Sequence, residues 1–190
     1  MNYTEYPVPA EWEKLLRRPS ADLSEMEPKV LSILRDVKTK GDAALLAFAA
    51  QFDGVQLSSL VVSEEEIAAA EKELPLALRE SILLAKNNVE RFHRSQHSGV
   101  MNVETMPGVS CWRKSVPVEK VGLYVPGGSA PLFSTILMLA VPAKLAGCSE
   151  IVLCTPPSKD GTVHPAILYT AAVCGITKIF RAGGAQAIAA

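Results

Sequence analysis

The sequence predicts an α/β protein: a mainly helical amino-terminal region, then a short β-hairpin, then a parallel sheet of the βαβαβ kind that is incomplete at its last helix. Three observations carry the prediction. Apolar residues recur at steps of three and four through the first hundred residues, the period of helices with one buried face. Beyond residue 118, short runs rich in Val, Ile and Leu alternate with longer apolar segments that close on glycine, the pattern of parallel strands joined by helices. Charge divides the same way, with 16 acidic and 12 basic side chains in residues 1–100 but only 4 and 7 in residues 101–190.

In the first region Leu23, Met26, Val30, Ile33 and Val37 make one helical stripe, and Leu78, Ile82, Ala85, Val89 and Phe92 make another. Ser24-x-x-Glu27 and Ser63-x-x-Glu66 have the spacing of a capping box, in which each side chain satisfies a free backbone N–H of the first turn. Helix starts are therefore expected near 24 and 63, with Pro28 able to displace the first by a few residues. Gly41 and Phe52-Asp53-Gly54 bracket a further short helix, and Val55–Val62 reads as a brief extended piece. Pro75 separates the helix that opens at Glu64 from a long one running to about Gln96.

Strand signals begin at Met101. Pro107-Gly108 suits the centre of a type II turn, since glycine accepts the positive φ required there, and predicts a hairpin of 101–106 with 109–116. Strands follow at Val121–Val125, Ile151–Cys154 and Thr177–Arg181. The helices between them are Phe133–Ala146, ended by Gly147, and Pro165–Cys174, ended by Gly175. The division is thus 1–100 helical, 101–118 connector and 119–190 the first part of a Rossmann-like sheet covered on both faces.

Composition excludes several classes of function. A formal net charge of −1 supplies none of the positive excess a nucleic-acid footprint needs. The amino terminus lacks the basic, apolar and small-residue succession of a secretory signal. Ala130–Ala146 is broken by Ser134, Thr135, Pro142 and Lys144, so it is too short and polar to span a bilayer. Cys111, Cys148, Cys154 and Cys174 contain no C-x-x-C pair, and the last three lie in or beside apolar runs, as buried free thiols do. A reducing cytoplasm is the expected setting.

In doubly wound sheets ligands bind where strands end and loops open into helices. Two such turns carry unusual content: Tyr124-Val125-Pro126-Gly127-Gly128-Ser129-Ala130-Pro131 and Ala182-Gly183-Gly184-Ala185-Gln186. Glycine pairs admit a ligand close to the backbone, and Tyr124 and Gln186 can offer a ring face and an amide. They equally suit tight turns with Tyr124 in the core and Gln186 in solvent; no G-x-G-x-x-G is present, and composition leaves both readings open. His93 and His97, four apart, have the spacing of two metal ligands, but Arg91 and Arg94 disfavour a cation there, and a solvated helix end is the simpler reading. His164 reads as a helix-start residue, and Glu64-Glu65-Glu66 as a first turn complementing the helix dipole.

The run Val121-Gly122-Leu123-Tyr124-Val125-Pro126-Gly127-Gly128-Ser129-Ala130-Pro131-Leu132-Phe133-Ser134-Thr135 resembles histidinol dehydrogenase. The likeness continues through Pro142-Ala143-x-x-Ala146-Gly147-Cys148, Val152-Leu153-Cys154-Thr155-Pro156-Pro157 and Gly183-Gly184-Ala185-Gln186-Ala187-Ile188-Ala189-Ala190. The resemblance implies an enzyme of histidine biosynthesis that oxidises L-histidinol to L-histidine through an aldehyde, using NAD⁺ and a bound zinc, as a homodimer. It assigns Tyr124 and Gln186, and with them Pro126, to the NAD⁺ surface. The family's zinc ligands and its Glu and His proton carriers belong to motifs outside this chain. No catalytic or metal residue is therefore expected here, and the chain reads as an amino-terminal piece, inactive alone. The alternatives are a relative of aldehyde dehydrogenases with a cysteine nucleophile such as Cys154, a non-catalytic NAD-binding piece, and a helical scaffold.

Overall fold

Ser63 shows how local sequence sets the first landmarks. In the computed structural model, which describes residues 4–18, 22–128 and 130–190, its Oγ accepts from the Glu66 N–H at 3.2 Å while the Glu66 carboxylate accepts from the Ser63 N–H at 2.9 Å. This complete capping box opens α4 (Glu64–Ala69). The similar spacing at Ser24 does not. There the Ser24 N–H donates to Asp22 Oδ1 at 2.9 Å, and α2 (Glu27–Lys40) begins three residues later with Pro28 in its first turn. Proline has no N–H to give and is best accommodated in that turn, so Pro28 rather than Ser24 fixes the start.

Ahead of these lies α1 (Pro9–Leu16), absent from the sequence expectation although Pro9 leads it and Glu11 sits in its first turn. It has no buried residue. Gly41, at φ 55°, turns the chain from α2 into α3 (Asp42–Phe48), which widens into a π-helical turn over Ala49–Asp53 and stops at Gly54 in the left-handed region. Pro75 then precedes α5 (Leu76–Arg94), which ends two residues earlier than expected.

The hairpin pairs β1 (Met101–Met106) with β2 (Val109–Arg113), antiparallel, around Gly108 at φ 81°. β2 is three residues shorter than predicted, and every hairpin residue is exposed. With no partner across either face, nothing prolongs the ladder toward residue 116.

The second sheet has the order β3-β4-β5, all parallel: β3 (Lys120–Tyr124), β4 (Glu150–Thr155) and β5 (Lys178–Arg181). α6 (Phe133–Ala146) and α7 (Pro165–Val173) connect them, closed by Gly147 at φ 92° and Gly175 at φ 73°. A last helix, α8 (Gly184–Ala189), follows β5. The extended piece before Ser63 joins the free edge of β5: Val61 bridges Phe180 antiparallel, the Val62 N–H donates to the Ile179 carbonyl, and the Arg181 N–H donates to the Leu60 carbonyl.

Strand order follows chain order, so two right-handed crossovers place α6 and α7 on one face of the sheet. Leu123, Val125, Ile151, Leu153 and Ile179 point into that face and share a continuous core with Ile136, Leu137, Ala140, Ile167 and Ile176. Ile82 of α5 and Leu74 belong to the same core. The expectation of two covered faces is met fully on that side and in part on the other. On the other, Phe180 meets a smaller cluster built on Val37, Ala44, Leu45 and Leu60, while Val152 and Cys154 line a cavity of about 450 Å³.

An ion pair ties the two ends of this architecture together. Arg181, 8% exposed, donates from Nη1 to the Val61 carbonyl at 2.6 Å and from Nη2 to Glu66 Oε1. The guanidinium, foremost, and the Ser63 N–H hold the Glu66 carboxyl below its ordinary value of 4.5. A depressed folded value means that this carboxylate contributes stability fully above about 4.5 and loses it as the pH falls through the lower folded value. The melting temperature of the chain should exceed that of Glu66→Gln at pH 7, and the gap should close as the pH is taken toward 3. A gap that stays constant with pH would show that the carboxylate charge contributes nothing.

Candidate functional site

The three parallel strands end in loops that converge. Gly127 follows β3, Pro156 follows β4 and Gly183 follows β5. A Cβ added at Gly127 would lie 2.8 Å from Pro156 Cγ, and one at Gly183 would lie 2.7 Å from Pro156 Cβ. The Pro156 ring is therefore packed between two glycine backbones, and both positions exclude a larger residue on steric grounds alone. Gly128 is different, with only the Ala130 carbonyl oxygen at 4.0 Å. Ser129 of the same loop lies outside the described residues.

Above this junction opens a cleft of about 680 Å³, lined by Tyr124, Pro126, Gly127, Gly128, Pro156 to Lys159 and Gly183 to Gln186. All three residues singled out from the sequence, Tyr124, Pro126 and Gln186, stand on its wall. Tyr124 is only partly buried. Its hydroxyl accepts from the Gly184 N–H at 3.0 Å, which pins the end of β3 to the turn after β5. Gln186 is 4% exposed and so is neither solvated nor remote from the cleft. Gly184 sits at φ 61°, where a side chain would be strained and would also meet the Gln186 amide.

Sequence reasoning missed part of this wall. Phe52 and Asp53, from the π-helical turn, and Ile33, from α2, line the cleft from the helical region. The Phe52-Asp53-Gly54 signal marked a turn, and its place against the strand ends is a long-range fact that no local pattern encodes. Lys159 is likewise brought in by the loop after β4. Burial pushes the Asp53 carboxyl above its ordinary range, and its Oδ2 is buried without a hydrogen-bond partner among the described residues.

The other candidates stand apart. His93 Nδ1 lies 2.8 Å from Gln96 Oε1 at the solvent-facing end of α5, and among the described residues no group of three His, Cys, Asp or Glu could hold a metal ion. His164 caps α7, its Nδ1 accepting from the Ala166 N–H at 3.1 Å. Cys154 lines the cavity on the opposite sheet face rather than the cleft, and burial raises its thiol. Burial, foremost, pushes Cys174 up to about 11, whereas Cys111 is exposed on the hairpin. A thiol reagent at pH 7 should therefore modify Cys111 well before Cys154 and Cys174. Rapid modification of Cys154 would reopen the case for a cysteine nucleophile. Among the described residues no helix is long and apolar enough to cross a membrane.

Parallel strands whose loops meet in one cleft at their carboxyl ends place the molecule in the α/β class with a Rossmann-like parallel sheet, in which ligands sit at that edge. The particular family comes from comparison with known proteins. Residues 16–190 match the model of the family described as histidinol dehydrogenase, and the chain belongs to that family. It is 54% identical over 190 residues to the histidinol dehydrogenase of Bacteroides thetaiotaomicron and 48% identical to that of Xanthomonas axonopodis pv. citri. In each case the whole chain is matched but only 44% of the relative. The crystal structure of histidinol dehydrogenase from Elizabethkingia anophelis superposes with a TM-score of 0.88 at 46% identity, covering 96% of this chain and 42% of that one.

Proposed function

We propose that the chain forms the amino-terminal part of an oxidoreductase of histidine biosynthesis that converts L-histidinol to L-histidine through the aldehyde, and that its cleft is part of the NAD⁺ surface. The observation that carries this reading is the meeting of Tyr124, Pro126 and Gln186, from two distant turns, in one cleft in a chain of this family.

The residues present fit a dinucleotide. Gly128, with open space where a Cβ would stand, leaves backbone free at the end of β3, as the approach of a diphosphate needs. The Tyr124 ring offers a face to a flat heterocycle, and its hydroxyl, already accepting from Gly184, keeps its own proton to donate. Gln186 presents both donor and acceptor, Pro126 presents apolar wall, and Lys159 supplies positive charge. Bound NAD⁺ would accept the hydride. Zinc has no ligand set among the described residues, and no step of this reading runs through it. Its ligands and the proton carriers are assigned to the part of the relatives outside the matched 44%. We keep the division into a mainly helical region 1–100, a hairpin connector 101–118 and the first part of a Rossmann-like NAD-binding domain 119–190, and the homodimer and cytoplasmic setting are carried over from the family.

Calorimetric titration with millimolar NAD⁺ tests the reading. Weak binding is expected, lost in Tyr124→Ala. No heat, or equal heat from the variant, would overturn it. The chain mixed with histidinol, NAD⁺ and zinc should give no turnover, and robust turnover would refute the assignment of the catalytic groups elsewhere. A cysteine nucleophile is not favoured, since Cys154 lies on the other sheet face with a raised thiol.

A further inference from the structure

We infer that the π-helical turn Ala49–Asp53 is a second wall of the nucleotide site, with Phe52 stacking on a flat heterocycle and the Asp53 carboxylate accepting a hydrogen bond from a ribose hydroxyl. The inference rests on the NAD⁺ reading of the cleft and extends it to the helical region.

Phe52 is 53% exposed, which alone is ordinary for a surface phenylalanine. Its setting is not ordinary. The ring stacks on Phe48 with centroids 5.4 Å apart and planes within 2°, and Phe48 packs against the smaller core cluster. One face of Phe52 is thus backed by fixed structure at the wall of the cleft, the arrangement of a stacking platform.

Asp53 supplies the polar half. Among the described residues its Oδ2 is buried with no hydrogen-bond partner and it forms no ion pair, although Lys159 lines the same cleft. A buried acceptor left unmatched lowers stability, and such a group in a cleft beside an aromatic platform matches a ligand that brings a donor. A carboxylate on a ribose hydroxyl is a recurring solution in sheets of this class.

The local backbone presents the two residues together. α3 widens into i→i+5 geometry over Ala49–Asp53, and Gly54 at φ 71° then turns the chain away. π turns inside helices are frequently found at functional sites. An ordinary helix continued to residue 53 would rotate Phe52 and Asp53 off this wall.

The test is calorimetry of the unmodified chain, Tyr124→Ala, Phe52→Ala and Asp53→Asn with NAD⁺, alongside their melting temperatures. Phe52→Ala and Asp53→Asn should each weaken NAD⁺ about tenfold, the loss of one stacked base or of one hydrogen bond to a charged group. Asp53→Asn should melt at the same or a higher temperature, because it removes an unpartnered buried charge. If the unmodified chain binds and only Tyr124→Ala weakens it, the inference fails while the NAD⁺ reading stands. Weakened binding together with a lowered melting temperature in Asp53→Asn would assign that residue to the fold and also overturn the inference. A silent unmodified chain overturns both.

Discussion

Gly183→Ala is expected to abolish measurable NAD⁺ binding and to lower the stability of the chain by about 2 kcal/mol, whereas Gly128→Ala leaves the stability nearly unchanged. The added methyl at 183 would stand 2.7 Å from Pro156 Cβ and 3.4 Å from Pro156 Cα. A proline ring and its backbone cannot swing aside as a flexible side chain does, so the loops after β4 and β5 must separate. The φ of Gly183 is −115°, which alanine adopts freely, so the effect isolates the steric contact from backbone strain. Separation would also pull the Gly184 N–H from the Tyr124 hydroxyl, a contact of 3.0 Å, and displace Gln186 on the next turn. Thermal melts and NAD⁺ calorimetry on the two alanine variants decide the matter. Equal behaviour would mean that the junction at Pro156 is slack and does not shape the cleft.

Arg181→Ala has the second large effect, a loss of about 2 kcal/mol in urea unfolding at pH 7. The guanidinium satisfies the Val61 carbonyl and Glu66 at once, joining the end of β5 to the edge segment and to the first turn of α4. Its removal takes the shorter of two donors from the Val61 carbonyl, leaving it the Ser59 hydroxyl at 3.4 Å, and takes the charge from beside Glu66. The Glu66 side chain is 39% exposed, so solvent offsets part of the loss, and the full penalty of breaking a wholly buried pair does not apply. Glu66→Gln should cost less, because its amide oxygen can still accept from one of the two donors, Arg181 Nη2 or the Ser63 N–H, that the two carboxylate oxygens serve. A loss in Arg181→Ala no larger than in Glu66→Gln would show that the Val61 contact is of no consequence.

Signals that act within a few residues were legible in the sequence. The Ser63 box, the glycine stops at 147 and 175, the turn glycine at 108 and the three apolar strands lie within one or two residues of their expected places. Each depends on a side chain meeting the backbone beside it. Ser24 failed on the same scale because Pro28 and Asp22 competed for the same few residues. The convergence of Tyr124, Pro126 and Gln186 was legible in part, since turns after neighbouring parallel strands must lie at one sheet edge. Arrangements that depend on tertiary packing were not legible. Phe52 and Asp53 reach the cleft only because α2 and α3 pack beneath α8 and Phe180, and the Tyr124–Gly184 contact joins residues 60 apart. The incomplete cover of the sheet follows from strand order, which the strands' own composition does not reveal.

One cleft at the carboxyl ends of β3, β4 and β5 is proposed to hold NAD⁺. Backbone amide NMR of the chain titrated with millimolar NAD⁺ tests it most directly. Shifts are expected to concentrate at Gly127, Gly128, Lys159, Gly183, Gly184 and Gln186, with Asp53 moving in the same concentration range. Shifts confined to the opposite sheet face around Val152 and Phe180, or none at all, would contradict it.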